Sequence, residues 1–164
     1  MKKNFRNLAL ALIFLIPTFP NNKLSAKINN IIYLENKIQS KDKAFKDIDE
    51  LIKLTEIAQQ NGNYSLAISY LEKILKIEKQ FLGENNNDVA NTLKWIGQVY
   101  ISQENFNEAK SYLYQSLSIK NSILGEDHID LITIYYSLGY LNEKQFLLKE
   151  AEDNYLYALK IIKK

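Results

Sequence analysis

The sequence repeats itself at a spacing of 42 residues, and this period constrains the fold more than any other feature. Leu82-Gly83 recurs as Leu124-Gly125, and Gly97 recurs as Gly139. Alanine recurs at the same spacing, at Ala67, Ala109 and Ala151. A fixed period of this length is typical of repeat architectures, in which each unit buries its apolar face only against a neighbour. The pattern predicts three repeats, over about 48–83, 88–125 and 130–164.

Within each repeat the apolar residues follow a helical period. In the second repeat they run i, i+4, i+7, i+11 from Val89 to Tyr100, and a second pattern runs from 106 to Gly125. Each repeat is therefore predicted to form two antiparallel helices, with Asp88 as the cap that begins the second pair. Gly97 and Gly139 lie inside the predicted first helices, where a missing side chain lets two helix backbones approach closely.

The N-terminal segment has the pattern of a secretory signal peptide. Residues 1–26 contain four basic residues and no acid, and an apolar run of nine residues begins at Leu8. That run is shorter than the roughly 20 residues that span a bilayer, and Pro17 follows it. We expect an exported protein, periplasmic or secreted. The alternative is a chain anchored to the membrane by this segment. A leading helix or linker is predicted over 27–46, before the repeat domain at 47–164.

Composition excludes several classes of function. Without residues 1–26 the chain has 17 basic and 19 acidic residues, and it lacks the basic stripe that neutralises nucleic-acid phosphates. It has no cysteine and a single histidine, His128. Phosphate-binding loops and the motifs of serine hydrolases and zinc proteases are absent. We therefore expect no enzyme, no cofactor, no bound metal and no small-molecule substrate.

The repeat unit resembles the tetratricopeptide repeat, which has bulky, small and aromatic residues at fixed offsets. The matching positions are Leu93, Ile96, Gly97, Tyr100, Ala109, Leu113 and Ser116 in the second repeat and Tyr135, Leu138, Gly139, Asn142, Ala151, Tyr155 and Ala158 in the third. The 42-residue period and the segment Leu124–Asp130 look like the kinesin-light-chain type of this repeat. The resemblance covers about 115 of the 164 residues. It implies an all-α, right-handed solenoid of about three helix pairs, acting as a non-enzymatic scaffold.

In that family the first helix of each pair lines the concave face, which suggests where a protein or peptide would bind. The candidate groove residues are Ile52, Glu56, Asn91, Lys94, Gln98, Ile101, Tyr136, Tyr140 and Glu143. Tyr and amide side chains suit an extended peptide or a partner helix. Trp95 is expected to cover the seam between repeats, and His128 to order a turn.

Two rival functions remain open. The last predicted helix is rich in apolar residues, among them Leu156, Leu159 and Ile162, and no polar-faced capping helix follows. This pattern favours oligomerisation or docking through the C-terminal helix. Alternatively, the chain is the N-terminal fragment of a larger regulatory protein with further repeats.

Overall fold

The computed structural model describes residues 23–163, and within this range it contains six α-helices, one short 3₁₀ helix and no β-strand. The helices are α1 (Lys23–Gln60), α2 (Tyr64–Leu82), α3 (Asn87–Ser102), α4 (Phe106–Leu124), α5 (Ile132–Lys144) and α6 (Leu148–Ile162), with the 3₁₀ helix at Ile129–Leu131. The predicted leader lies outside the described residues, except for its last four. No helix in the described range is long and apolar enough to cross a membrane.

The chain divides into two units, residues 1–45 and 46–164, and α1 contributes to both. The predicted leading helix or linker over 27–46 lies within α1, which continues from there into the first repeat. The physical reason is that the α1 sequence contains neither Gly nor Pro to interrupt a helix. In the first unit, Ile31, Leu34 and Ile38 are exposed.

The second unit consists of three helix pairs, formed by the C-terminal part of α1 with α2, α3 with α4, and α5 with α6. This confirms the all-α solenoid predicted from the repeat. Small residues let the helices of a pair approach closely, as predicted. A Cβ at Gly97 would lie 2.8 Å from Cγ of Leu113, and a Cβ at Gly139 would clash with the ring of Tyr155.

Neighbouring pairs share one apolar core. A cluster of buried side chains joins α3 and α4 to α5 and α6, and its members include Ile101, Leu113, Leu131, Ile134 and Ile161. The first and second repeats are also joined by polar contacts. Trp95 Nε1 donates to Gln59 Oε1 at 2.8 Å, so the indole lies at the seam, as the sequence predicts. Gln103 Nε2 donates to Ser65 Oγ at 3.1 Å.

The connections repeat along with the helices. Gly62, Glu104 and Phe146 lie 42 residues apart, each in the turn inside a pair, and each has a positive φ of 70°, 60° and 61° respectively. Between the pairs, Gly83 has φ 85° and ψ 164°, and Gly125 has φ 86° and ψ 163°. That region of backbone space is open essentially only to glycine.

The helix caps differ in one respect from our prediction. Asn86 begins α3, because its side chain accepts a hydrogen bond from Asp88 N at 2.8 Å. Asp88 lies instead in the first turn of α3, where its negative charge favours the positive end of the helix dipole. His128 caps the 3₁₀ helix by accepting from Asp130 N at 3.2 Å, so it orders this turn as expected.

Candidate protein-binding surface

The predicted groove residues lie on the first helix of each pair: the C-terminal part of α1, α3 and α5. We call the solvent-exposed side of these three helices the first-helix face. Six of the predicted side chains are exposed there, namely Glu56, Asn91, Gln98, Tyr136, Tyr140 and Glu143. Ile52 and Lys94 are half-buried.

Ile101 is the exception among the predicted groove residues. It is only 5% exposed and belongs to the core shared by the second and third repeats. Its equivalents 42 residues away, Gln59 and Glu143, are polar. A branched aliphatic side chain at this position instead packs inward, because burial removes its apolar surface from water. Ile101 therefore offers no accessible side chain for a partner.

Two polar side chains of α3 bridge to α5 and hold these first helices side by side. Lys94 Nζ donates to Thr133 Oγ1 at 3.1 Å, and Gln98 Nε2 donates to Ser137 Oγ at 2.9 Å. Burial lowers the pKa of Lys94, and the nearby positive charge of Lys120 lowers it further, while Asp130 opposes this shift. Lys94 and Gln98 therefore already use hydrogen-bond donors within the protein, between α3 and α5.

Tyrosine side chains dominate the first-helix face at α5. Tyr136 is 60% exposed, and its ring lies 5.6 Å from the ring of Tyr155 on α6. Tyr140 is 39% exposed, with Lys144 Nζ 5.3 Å from its ring centroid. Exposed aromatic rings of this kind bury a large area on binding and lose little conformational entropy.

Tyr155 on α6 packs its ring against Tyr136, a role that the sequence pattern did not indicate. Its hydroxyl donates to Glu143 Oε2 at 2.9 Å. Burial, followed by this hydrogen bond to the Glu143 carboxylate, raises the pKa of Tyr155 to about 12. The bond fixes Glu143, which is therefore partly engaged within the protein and less available to a partner than its exposure suggests.

The first-helix face presents exposed rings, amides and hydroxyls on α1, α3 and α5. Among residues 23–163 there is no group of three or more His, Asp or Glu side chains placed to hold a metal ion. The histidine is engaged in its turn, as described above.

Fold and surface together define an α-helical repeat scaffold. The chain belongs to the tetratricopeptide repeat family, whose model matches residues 51–122 and 88–164. Repeats of this family generally mediate protein–protein interaction and are typically non-enzymatic. A comparison with curated proteins gives no match.

Among solved structures, the chain is similar to BtubC (BKLC) from P. vanneervenii. The TM-score is 0.63 at 22% sequence identity, over 85% of this chain and 53% of that chain. The similarity is one of fold. The chain spans about half the length of this structural relative.

Proposed function

We propose that this protein is an interaction scaffold that binds a peptide or a segment of a partner protein on the concave, first-helix face of its repeats. The observation that carries the proposal is the pair of exposed tyrosines on α5, Tyr136 and Tyr140. They lie one helical turn apart, so both rings are on the same side of α5.

The chemistry of this surface favours a partner with apolar side chains and free backbone groups. Tyr136 and Tyr140 supply the aromatic surface. Asn91 and Gln98 supply exposed amides on α3, of which the Gln98 nitrogen already donates to Ser137. Amide side chains both donate and accept hydrogen bonds, so they suit the backbone of an extended peptide. Carboxylate-specific recognition is less well supported, since Lys94, the cationic side chain predicted for the groove, is half-buried and bonded to Thr133.

We also propose export as the setting of this function, on the signal-peptide pattern of residues 1–26. The kinesin-light-chain type of repeat is a proposal too, supported by the 42-residue period and by the segment Leu124–Asp130.

The test is partner capture with the tagged full chain from envelope extracts, followed by titration of the captured protein against purified variants. Tyr136→Ala combined with Tyr140→Ala should weaken binding at least about tenfold, as expected for aromatic anchors of an interface.

Tyr114 provides a matched control. It is a 49% exposed tyrosine on α4, and Lys110 Nζ lies 6.0 Å from its ring, much as Lys144 lies over Tyr140. Tyr114→Ala should leave binding unchanged. Equal binding by the double variant and the parent would contradict the proposal, as would an equal loss from Tyr114→Ala.

A further inference from the structure

The junction between the first and second repeats brings two acids together without a base. Glu78 on α2 is 7% exposed, and its Oε2 is the one carboxylate oxygen among residues 23–163 that is buried without a hydrogen-bond partner. Burial raises the pKa of Glu78, a hydrogen bond with Thr92 opposes this shift, and the negative charge of Asp88 adds to it. The buried carboxyl therefore lies beside Thr92 and Asp88, and within the described part of the chain neither acid has an ion-pair partner.

The next junction contains a cation at the same place. There the position of Glu78 is taken by Lys120 and that of Asp88 by Asp130. Lys120 is 3% exposed, and its Nζ lies 3.2 Å from Asp130 Oδ2. A buried charge is costly unless an opposite charge or hydrogen bonds compensate it. The first junction therefore lacks one cation relative to the second, although both lie between two complete helix pairs.

The first junction also offers oxygen atoms that suit a metal cation. Thr92 is 6% exposed, whereas the equivalent residue in the next repeat is the apolar Ile134. Calcium binds carboxylate and neutral oxygens in flexible geometry and completes its coordination with water. Because Asp88 is exposed, an ion beside it could enter from solvent and keep water ligands on that side.

We propose that this junction binds a calcium ion through the carboxylates of Glu78 and Asp88, with Thr92 as a neighbouring neutral oxygen. The ion takes the place of the Lys120 ammonium and joins the C-terminal end of α2 to the first turn of α3. Since the site has only two carboxylates, we expect weak binding, with a Kd of about 10⁻³ M. The proposal revises the sequence-based expectation of no bound metal, and it does not rest on the function proposed above.

Thermal unfolding of the full chain at neutral pH, after treatment with a chelator, tests the proposal. Calcium chloride at about 10 mM should shift the folding equilibrium of the parent about tenfold toward the folded state. The unfolding midpoint should then rise by about 4 °C. Sodium chloride at the same ionic strength should not reproduce this rise, because it only screens the repulsion between the two acids.

Four variants assign the response to the site. Glu78→Gln and Asp88→Asn each remove one carboxylate and should abolish the rise with calcium. Glu72→Gln removes an exposed acid from the same helix and should keep the full rise. Glu78→Lys supplies the cation within the chain and should be insensitive to calcium. Each variant is compared with itself with and without calcium, so a change in its own stability does not affect the result.

An unfolding midpoint of the parent that calcium leaves unchanged would overturn the proposal. An equal rise in sodium chloride, or a full calcium response from Glu78→Gln or Glu78→Lys, would do the same.

Discussion

Glu78 and Lys120 occupy the same position in successive repeats, 42 residues apart, and both are buried, yet they carry opposite charges. Lys120 Nζ lies 3.2 Å from Asp130 Oδ2, forming an ion pair in which the lysine is the buried partner. Asp88 is the equivalent of Asp130. Burial raises the pKa of Glu78, and the nearby negative charge of Asp88 adds to this shift. The junction between the second and third repeats therefore has an attractive ion pair, whereas the junction between the first and second has two acids. Glu78 Oε2 is buried without a hydrogen-bond partner.

Exchanging these charges should change stability in opposite directions. Glu78→Lys recreates the Lys120–Asp130 pair against Asp88 and should raise the free energy of unfolding by about 1 kcal/mol. Lys120→Glu places two acids together at the second junction and should lower it by about 2–3 kcal/mol. Urea unfolding followed by circular dichroism measures both. Glu72→Lys, at an exposed site of α2, is the control for the change of charge alone. A similar rise in the free energy of unfolding from Glu72→Lys would show that the effect at position 78 does not come from an ion pair with Asp88.

The stability of the protein should also depend on pH through Glu78. Burial raises the pKa of this carboxyl, and the charge of Asp88 adds to the shift, while a hydrogen bond from Thr92 opposes it. The folded state then binds the proton more tightly than the unfolded state. This contribution to stability is complete below the ordinary carboxyl pKa and is lost as the pH rises through the folded-state value.

Glu78→Gln keeps the side-chain shape and removes the titration. Its free energy of unfolding relative to the parent should rise as the pH increases above the ordinary carboxyl pKa of about 4. Denaturant unfolding at several pH values provides the measurement, with Glu72→Gln as the control for loss of one acid. A difference between Glu78→Gln and the parent that stays constant with pH would show that Glu78 does not titrate in this way.

Gly139→Ala should destabilise the fold, although alanine is favoured over glycine inside a helix by about 1 kcal/mol. The added methyl group would clash with the ring of Tyr155, and overpacking of this kind costs about 1–3 kcal/mol. Thermal unfolding should show a lower midpoint for Gly139→Ala, whereas Ser118→Ala, on an exposed helical site of α4, should be close to neutral. In a Tyr155→Ala background the same glycine substitution should no longer destabilise, and a persistent loss there would exclude the clash as its cause.

Trp95 is the single tryptophan of the chain, and its bond to Gln59 makes it a reporter of the seam between the first two repeats. Gln59→Ala should lower the free energy of unfolding by about 1 kcal/mol and shift the tryptophan emission to longer wavelength. Gln59→Glu keeps an acceptor for the indole N–H and should preserve the emission. Gln103→Ala removes another bond between the same repeats, so it should leave the emission unchanged. An emission shift from Gln103→Ala would mean that the signal does not report the Trp95–Gln59 contact.

Much of the fold could be predicted because its determinants are local and repeated. The 42-residue period and the small residues Gly97 and Gly139 define helix pairs without reference to distant contacts. The continuity of α1 could also have been predicted, since its sequence contains neither Gly nor Pro. The 42-residue period instead suggested a boundary before the first repeat. Asn86 and Asp88 both carry acceptors suited to a cap, and only backbone geometry distinguishes them.

The candidate surface was less predictable, because its side chains depend on neighbours from other helices. Assignment by period alone placed Ile101 with Gln59 and Glu143, whereas its apolar side chain takes part in the core between repeats. The engagement of Glu143 by Tyr155 joins α5 to α6 through a side-chain contact that no spacing rule reveals. The tyrosines at 136 and 140 were predictable because neither takes a core position of the helical pattern.

The two glycine joints between repeats, Gly83 and Gly125, have torsion angles that agree to within one degree. The chain therefore leaves α2 and α4 with the same backbone geometry, although the second pair begins directly with α3 at Asn87 and the third begins with the 3₁₀ helix at Ile129–Leu131. A whole 42-residue unit added or removed at such a joint would leave the backbone geometry of the joint unchanged. The number of repeats in an array of this kind can therefore differ by whole units without a new type of connection.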